Sequence, residues 1–323
     1  MATNSPVAIT RDGVVLGPVE VSFQRTLRIP ETGLHDLPPG LGRFPLRRVA
    51  DYSDTVPQDW LAHGGVMLPV YQREALWLSF GTSEPAALQA GVGKICAVTG
   101  QPWRERLSKE PQNYVALPLQ PWLDGINSGD GVIRQFVAVP LGLGATVEGQ
   151  VTGEEVHGGV QLRVVGLSST ALAQWRKIHQ GRSARRMVAF GAPPAGSAAM
   201  GLGAGGRMRQ EIYSDERLLS DYDEARSWRV FVHLCSAVQW TAITGEVAPP
   251  TPIDRESYVR FGLPWFDYYD ADAEDLEASQ TLAKVKPVGE ILGGEEEPFA
   301  PVDPDSVIQL KDAGGDDVDD GDW

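Results

Sequence analysis

The segment PVEVSFQRTLRIP, residues 18–30, alternates apolar and polar side chains without a break, and a period of two is the mark of a β-strand, not of a helix. Val19, Val21, Phe23, Leu27 and Ile29 share one face, while Glu20, Ser22, Gln24, Thr26 and Arg28 share the other, as in a half-buried strand. Arg25 falls on the apolar face and is expected to pair with a carboxylate or to sit at the sheet margin. VIRQFVAVP is apolar on both faces, as in a strand covered on two sides, and Pro140 is expected to end it.

Further short strands are predicted in VAITRDGVVLG with its Asp12-Gly13 turn, ALWLSF, ALQAGVGKICAVTG and YVALPLQ. TVEGQVTG and GVQLRVVG alternate around GEEVHG, which predicts a hairpin with Val147 and Val151 opposite Val160, Leu162 and Val164. No internal repeat is read. The expected fold is mainly β to α+β: an antiparallel β-sandwich or barrel-like body over residues 1–166 with a smaller α+β C-terminal part. Residues 167–206 read as a basic, then Gly/Ala/Pro-rich linker or loop, and residues 294–323 as an acidic tail. Residues 207–293 form the α+β part, separate from 1–166 or integrated with it. In that part RMRQEIY and SWRVFVHL are predicted strands. CSAVQWTAITG is a predicted helix stopped by Gly245, TPIDRESYVRFG one capped by Thr251 with Pro252 at its first position, and ADAEDLEASQTLAKVKP a third.

The longest apolar candidate for a membrane span, VAVPLGLGATV, falls well short of the roughly 20 residues a helix needs to cross a bilayer. MATNSPVAIT has neither the basic nor the apolar region of a secretory signal, and the two cysteines, Cys96 and Cys235, lie in apolar runs. A reducing, cytoplasmic setting with buried structural thiols and no membrane partner is expected.

Charge is unevenly placed. The chain carries a formal net charge of -15, yet Val156 to Gln210 contains no Asp or Glu against eight basic residues: Arg163, Arg176, Lys177, Arg182, Arg185, Arg186, Arg207 and Arg209. Residues 295–323 hold eleven acids and one lysine and end in Trp323. Such an acid-free block is expected to make an electropositive surface, for which the C-terminus is the nearest counter-charge.

The strong catalytic motifs are absent: no GxxxxGK[ST], HExxH, GxSxG or paired-cysteine set occurs. GLGAGG at 201–206 has a phosphate-loop spacing without its strand-and-helix context, and is read as a spacer. The five histidines (His35, His63, His157, His179, His233) show no ligand spacing, and His233 in an apolar strand reads as structural. The clusters Asp221, Asp223, Glu224 and Asp267, Asp270, Asp272, Glu274, Asp275 read as solvated loops or helix starts, so no metal and no cofactor is expected. Aromatic residues, including PWFDYYD at 264–270, are expected in the core, with alternate members available to stack on a partner.

The segments GGVMLPVYQREALWLSF, VGKICAVTG, QPWLDGI, VIRQFVAVPLG, TVEGQVTGEEVHGGVQLRV, MRQEIY and GLPWFDYYD together resemble an uncharacterised family of bacterial and fungal proteins. Some of its members are labelled "integral membrane protein". The resemblance spans about residues 38–270 and implies no activity, so no residue role is carried over.

From charge and motifs the expected function is a non-enzymatic scaffold that meets copies of itself or a protein partner. The contacts would run through Arg176, Lys177, Arg182, Arg185, Arg186, Arg207, Arg209 and the terminal Trp323. One alternative is a carbohydrate-binding or carbohydrate-active protein using aromatic platforms and a carboxylate pair such as Asp267 with Asp270 or Glu148. A second is nucleic-acid binding through the arginine block, which the overall acidity disfavours.

Overall fold

Period-two segments become strands along most of the chain. The computed structural model describes residues 7–10, 13–38, 40–179, 200–250 and 274–293, together with the backbone of 265–268 and 307–310. In chain order the first part runs β1 (Ala8–Ile9), β2 (Val14–Leu16), β3 (Val19–Thr26), β4 (Leu34–His35), β5 (Gly40–Arg43), β6 (Arg47–Arg48), helix α1 (Gln58–His63), β7 (Val66–Val70), β8 (Ala75–Thr82) and β9 (Ala86–Val92). Then come β10 (Ile95–Cys96), β11 (Val115–Leu117), β12 (Trp122–Leu123), β13 (Gly125–Gly129), β14 (Val132–Pro140), α2 (Val147–Thr152), β15 (Val160–Leu167) and α3 (Ser169–Ile178). The last part holds β16 (Met200–Arg209), β17 (Tyr222–Ser236), α4 (Ala237–Thr244), β18 (Trp265–Tyr268), α5 (Val288–Leu292) and β19 (Val307–Leu310).

The first seventeen strands form one largely antiparallel sheet, so the mainly β architecture is as expected. β3 lies between β2 and β8, β8 touches β14, β14 pairs with β16, and Met200 of β16 meets Leu234 of β17. β17 pairs antiparallel with β15, β15 with β9, and β9 with β10 and β11. Two pairings in this sheet are parallel, β7 on β17 and β4 on β16. Phe23 of β3 and Leu78 of β8 share one buried cluster with Leu88 of β9, Leu162 of β15 and Val232 of β17. Each such side chain contributes ~1.5–3 kcal/mol by leaving water. A second cluster packs Trp60 of α1 and Trp240 of α4 around Met67 and Cys235. No helix among the described residues is long and apolar enough to cross a membrane.

Of the two expectations for Arg25, the carboxylate is met: its guanidinium meets Glu74 Oε1 at 2.5 Å, with both side chains almost wholly buried. Glu74 Oε2 accepts the Tyr71 N–H at 2.9 Å. β3 is covered on both faces, however, not half-buried. Ser22, Gln24 and Thr26 are buried too, and Gln24 Nε2 donates to Ser22 Oγ at 2.9 Å. β14 is buried along nearly all its length and stops at Pro140, and Gly245 in the left-handed region closes α4.

Three sequence readings are corrected. The predicted hairpin does not form, because TVEGQVTG is the short helix α2. Thr146 caps it by accepting the Gly149 N–H at 2.9 Å, and Glu155 accepts from the Thr146 N–H at 3.0 Å and its hydroxyl at 2.6 Å, a local capping network that outweighs the alternation. GLGAGG is no spacer but the buried first part of β16, paired to β14. Its glycines allow close backbone passage: a Cβ at Gly206 would lie 2.0 Å from the Pro30 carbonyl oxygen, and one at Gly203 2.8 Å from that of Ala145. Residues 200–236 therefore belong to the same sheet as the body. In ADAEDLEASQTLAKVKP the described part, from Glu274, forms only a single 3-10 turn at Leu282–Lys284. The Asp275 carboxylate instead accepts the N–H groups of Gly131 at 2.8 Å and Ile212 at 3.0 Å, which ties the segment across the sheet. The helix predicted in TPIDRESYVRFG lies outside the described residues.

Candidate ligand-binding cleft

The tetrapeptide His-Gly-Gly-Val occurs twice, at residues 63–66 and 157–160. Val66 opens β7 and Val160 opens β15, and both are in register with the same residue, Val232 of β17. The two His-Gly-Gly turns are thereby delivered to one level of the sheet from either side of β17. Glycine is needed in both. At Gly65, φ is +83° and a Cβ would stand 2.1 Å from the Phe231 carbonyl oxygen; at Gly159, φ is +64° and the clash would be 2.6 Å with that of Val232. Reading no repeat in the sequence overlooked this pair of tetrapeptides, which was the available signal.

The consequence is that three of the five scattered histidines meet. The His63 and His157 rings lie 4.9 Å apart between centroids, edge to face, and Phe231 packs 5.3 Å from His63. His233 is enclosed beneath them, stacked 4.5 Å from Trp60 and 4.6 Å from Phe231. Its Nε2–H donates to the Gly64 carbonyl at 2.9 Å, and burial pushes its imidazole down to about 4, so it is neutral and structural as its strand position implied.

His63 donates Nδ1–H to the Asp59 carbonyl at 2.7 Å, which leaves Nε2 as its free basic atom. His157 is held below the ordinary imidazole range, first by burial and then by Lys94 and His63, with Glu148 opposing. Glu148, buried at 1% exposure, accepts the backbone N–H groups of Lys94 (3.2 Å), His157 (3.3 Å) and Gly158 (3.2 Å). It thus fixes the β9–β10 turn against the second His-Gly-Gly turn.

His63 borders two cavities of about 430 and 270 Å³ and His157 the smaller of them; the two share His63, Trp103, Gln161 and Phe231 as walls. Trp103 is seated on Gly91, where a Cβ would lie 2.6 Å from the indole. Cations stand around the opening: Lys94 borders the smaller cavity and Arg48 and Arg229 the larger, Arg229 being paired with Glu105. Among the described residues no group of three or more His, Cys, Asp or Glu side chains is arranged to hold a metal ion. Both cysteines are buried, and burial raises both thiols.

The arginines singled out by charge lie elsewhere. Arg163 pairs with Glu224 and donates to Gln89 Oε1 at 3.0 Å; Arg176 meets Glu84 at 3.0 Å, a carboxylate shared with Arg226; Arg209 lies 3.6 Å from Asp36. The acid-free block therefore finds carboxylates from other segments of the body. Lys177 ends α3 and is exposed, as is Arg207 on β16. Arg182, Arg185, Arg186 and Trp323 lie outside the described residues, as do Asp270, Asp272 and the side chain of Asp267.

No protein-family model matches the chain, and neither a curated protein nor a solved structure does.

Proposed function

We propose that the protein binds a small planar molecule in the cleft between its two His-Gly-Gly turns. The observation that carries this reading is the convergence of His63 and His157 beside Phe231 and Trp103 on the wall of the smaller cavity, which shares His63, Trp103 and Phe231 with the larger. Concave sites lined by aromatic surface with a few converging polar groups are where proteins take small ligands. The effort of the fold supports it as well: four glycines, a buried Glu148 and a stacked His233 are all committed to holding this geometry.

Self-assembly through the basic segment and the acidic tail has less support, because Arg163, Arg176 and Arg209 already meet Glu224, Glu84 and Asp36. The cleft reading is tested by histidine-observed NMR with benzamide and benzoate as probes. Saturable movement of the His63 and His157 signals, with His35 and His179 unmoved, is the expected result. Signals that stay in place with both probes overturn the reading.

A further inference from the structure

We infer that the ligand of this cleft carries an anionic group, seated at the His63–His157 pair, and that binding it draws a proton onto that pair. The inference rests on the cleft reading and adds to it the charge of the ligand and its coupling to pH.

The geometry supplies the reason. Two imidazoles with ring centroids 4.9 Å apart line the smaller cavity, and His63 is among the groups that oppose a proton on His157. The charged groups around them come from every neighbouring element. α1 contributes Asp59, α2 contributes Glu148, the β9–β10 turn contributes Lys94, and β17 contributes His233 below and Arg229 at the margin. Glu148 is occupied by three backbone N–H groups, Arg229 by Glu105, and Lys94 lies 3.9 Å from Glu154. His63 spends Nδ1–H on the Asp59 carbonyl, which leaves Nε2 as its basic atom, and His157 lines the same smaller cavity beside it.

Without an anion, burial first and then Lys94 and His63 oppose a proton on His157, against the pull of Glu148. A bound carboxylate or phosphate monoester reverses that balance. It gives the imidazolium an opposite charge within hydrogen-bond reach, and the proton moves from solvent to the pair as the anion enters. The bound state then holds one anion, one added proton and neutral His233. The planar part of the ligand lies against Trp103 and Phe231, which border the same cavity.

The test uses the full chain and two probes of nearly equal shape, benzoate and the neutral benzamide, titrated calorimetrically at pH 5.5 and 7.5. Benzoate is expected to bind about fivefold or more tightly at the lower pH, while benzamide changes by less than about twofold. Repeating the benzoate titration in two buffers of unlike ionisation heat should show proton uptake near pH 6, a readout that needs no variant. His157→Gln is expected to abolish both the uptake and the pH effect; His63→Gln serves the same purpose should the first variant not fold. Equal, pH-independent binding of the two probes overturns the inference and leaves the cleft reading standing. Binding of neither probe overturns both.

Discussion

His63 and His157, ninety-four positions apart in the chain, stand 4.9 Å apart in space because the valines that follow their glycine pairs both register with Val232. Register, not sequence proximity, builds the pair. Strand β17 acts as a ruler along which two identical tetrapeptides are set at the same mark.

The glycines should be the most sensitive positions of this arrangement. Gly65→Ala places a methyl 2.1 Å from a carbonyl oxygen at positive φ, and Gly159→Ala one at 2.6 Å. Each is expected to lose on the order of 2–4 kcal/mol in denaturant unfolding. Gly153→Ala, left-handed with nothing within 4 Å, should lose only about 1 kcal/mol.

Acid should weaken the fold through His233. Its imidazole is pushed from 6.5 down to about 4 by burial, so the folded state refuses a proton that the unfolded chain accepts. The stabilisation is complete above about pH 6.5 and disappears as pH falls toward 4, a span worth on the order of 3 kcal/mol. Unfolding free energies measured across that range should fall less steeply toward acid in His233→Gln than in the wild type.

Asp124 should act in the opposite sense. Full burial raises its carboxyl from 3.8 to about 7, with hydrogen bonds from Gln210 and Trp122 opposing. The folded state keeps the proton that the unfolded chain releases, so this contribution is present below about pH 4 and is lost as pH rises to 7. Asp124→Asn should remove that loss. In the wild type the two slopes oppose each other between pH 4 and 6.5, with buried Glu74, raised to about 7 by desolvation, adding to that of Asp124.

The cap of α2 should be worth a measurable amount. Thr146→Val removes a hydroxyl that accepts from Gly149 and donates to Glu155, and a loss of about 1–2 kcal/mol is expected in thermal unfolding, most of it restored by Thr146→Ser.

What the sequence made legible was whatever local pattern decides. β3, β14 and α4 follow from alternation, a two-sided apolar run and a glycine stop, and of the two expectations for Arg25, a carboxylate or the sheet margin, the carboxylate is met by Glu74. What failed were segments whose neighbours decide. TVEGQVTG alternates like a strand, but Thr146 and Glu155 cap it into a helix. GLGAGG looks like a spacer, yet its missing side chains are what lets β16 pass the Pro30 and Ala145 carbonyls. The charge pattern drew attention to a block of which Arg163, Arg176 and Arg209 meet Glu224, Glu84 and Asp36, whereas the cleft was hidden because its histidines come from three separate parts of the chain. Only the doubled His-Gly-Gly-Val offered a clue.

The central claim is that His63 and His157 form one electrostatic unit at the cleft, and an NMR titration of the His157 ring in the wild type and in His63→Gln tests it most directly. The account predicts a wild-type midpoint below the ordinary imidazole range that rises when His63 is replaced, because the neighbouring ring no longer opposes the charge. An identical midpoint in the two proteins would contradict it.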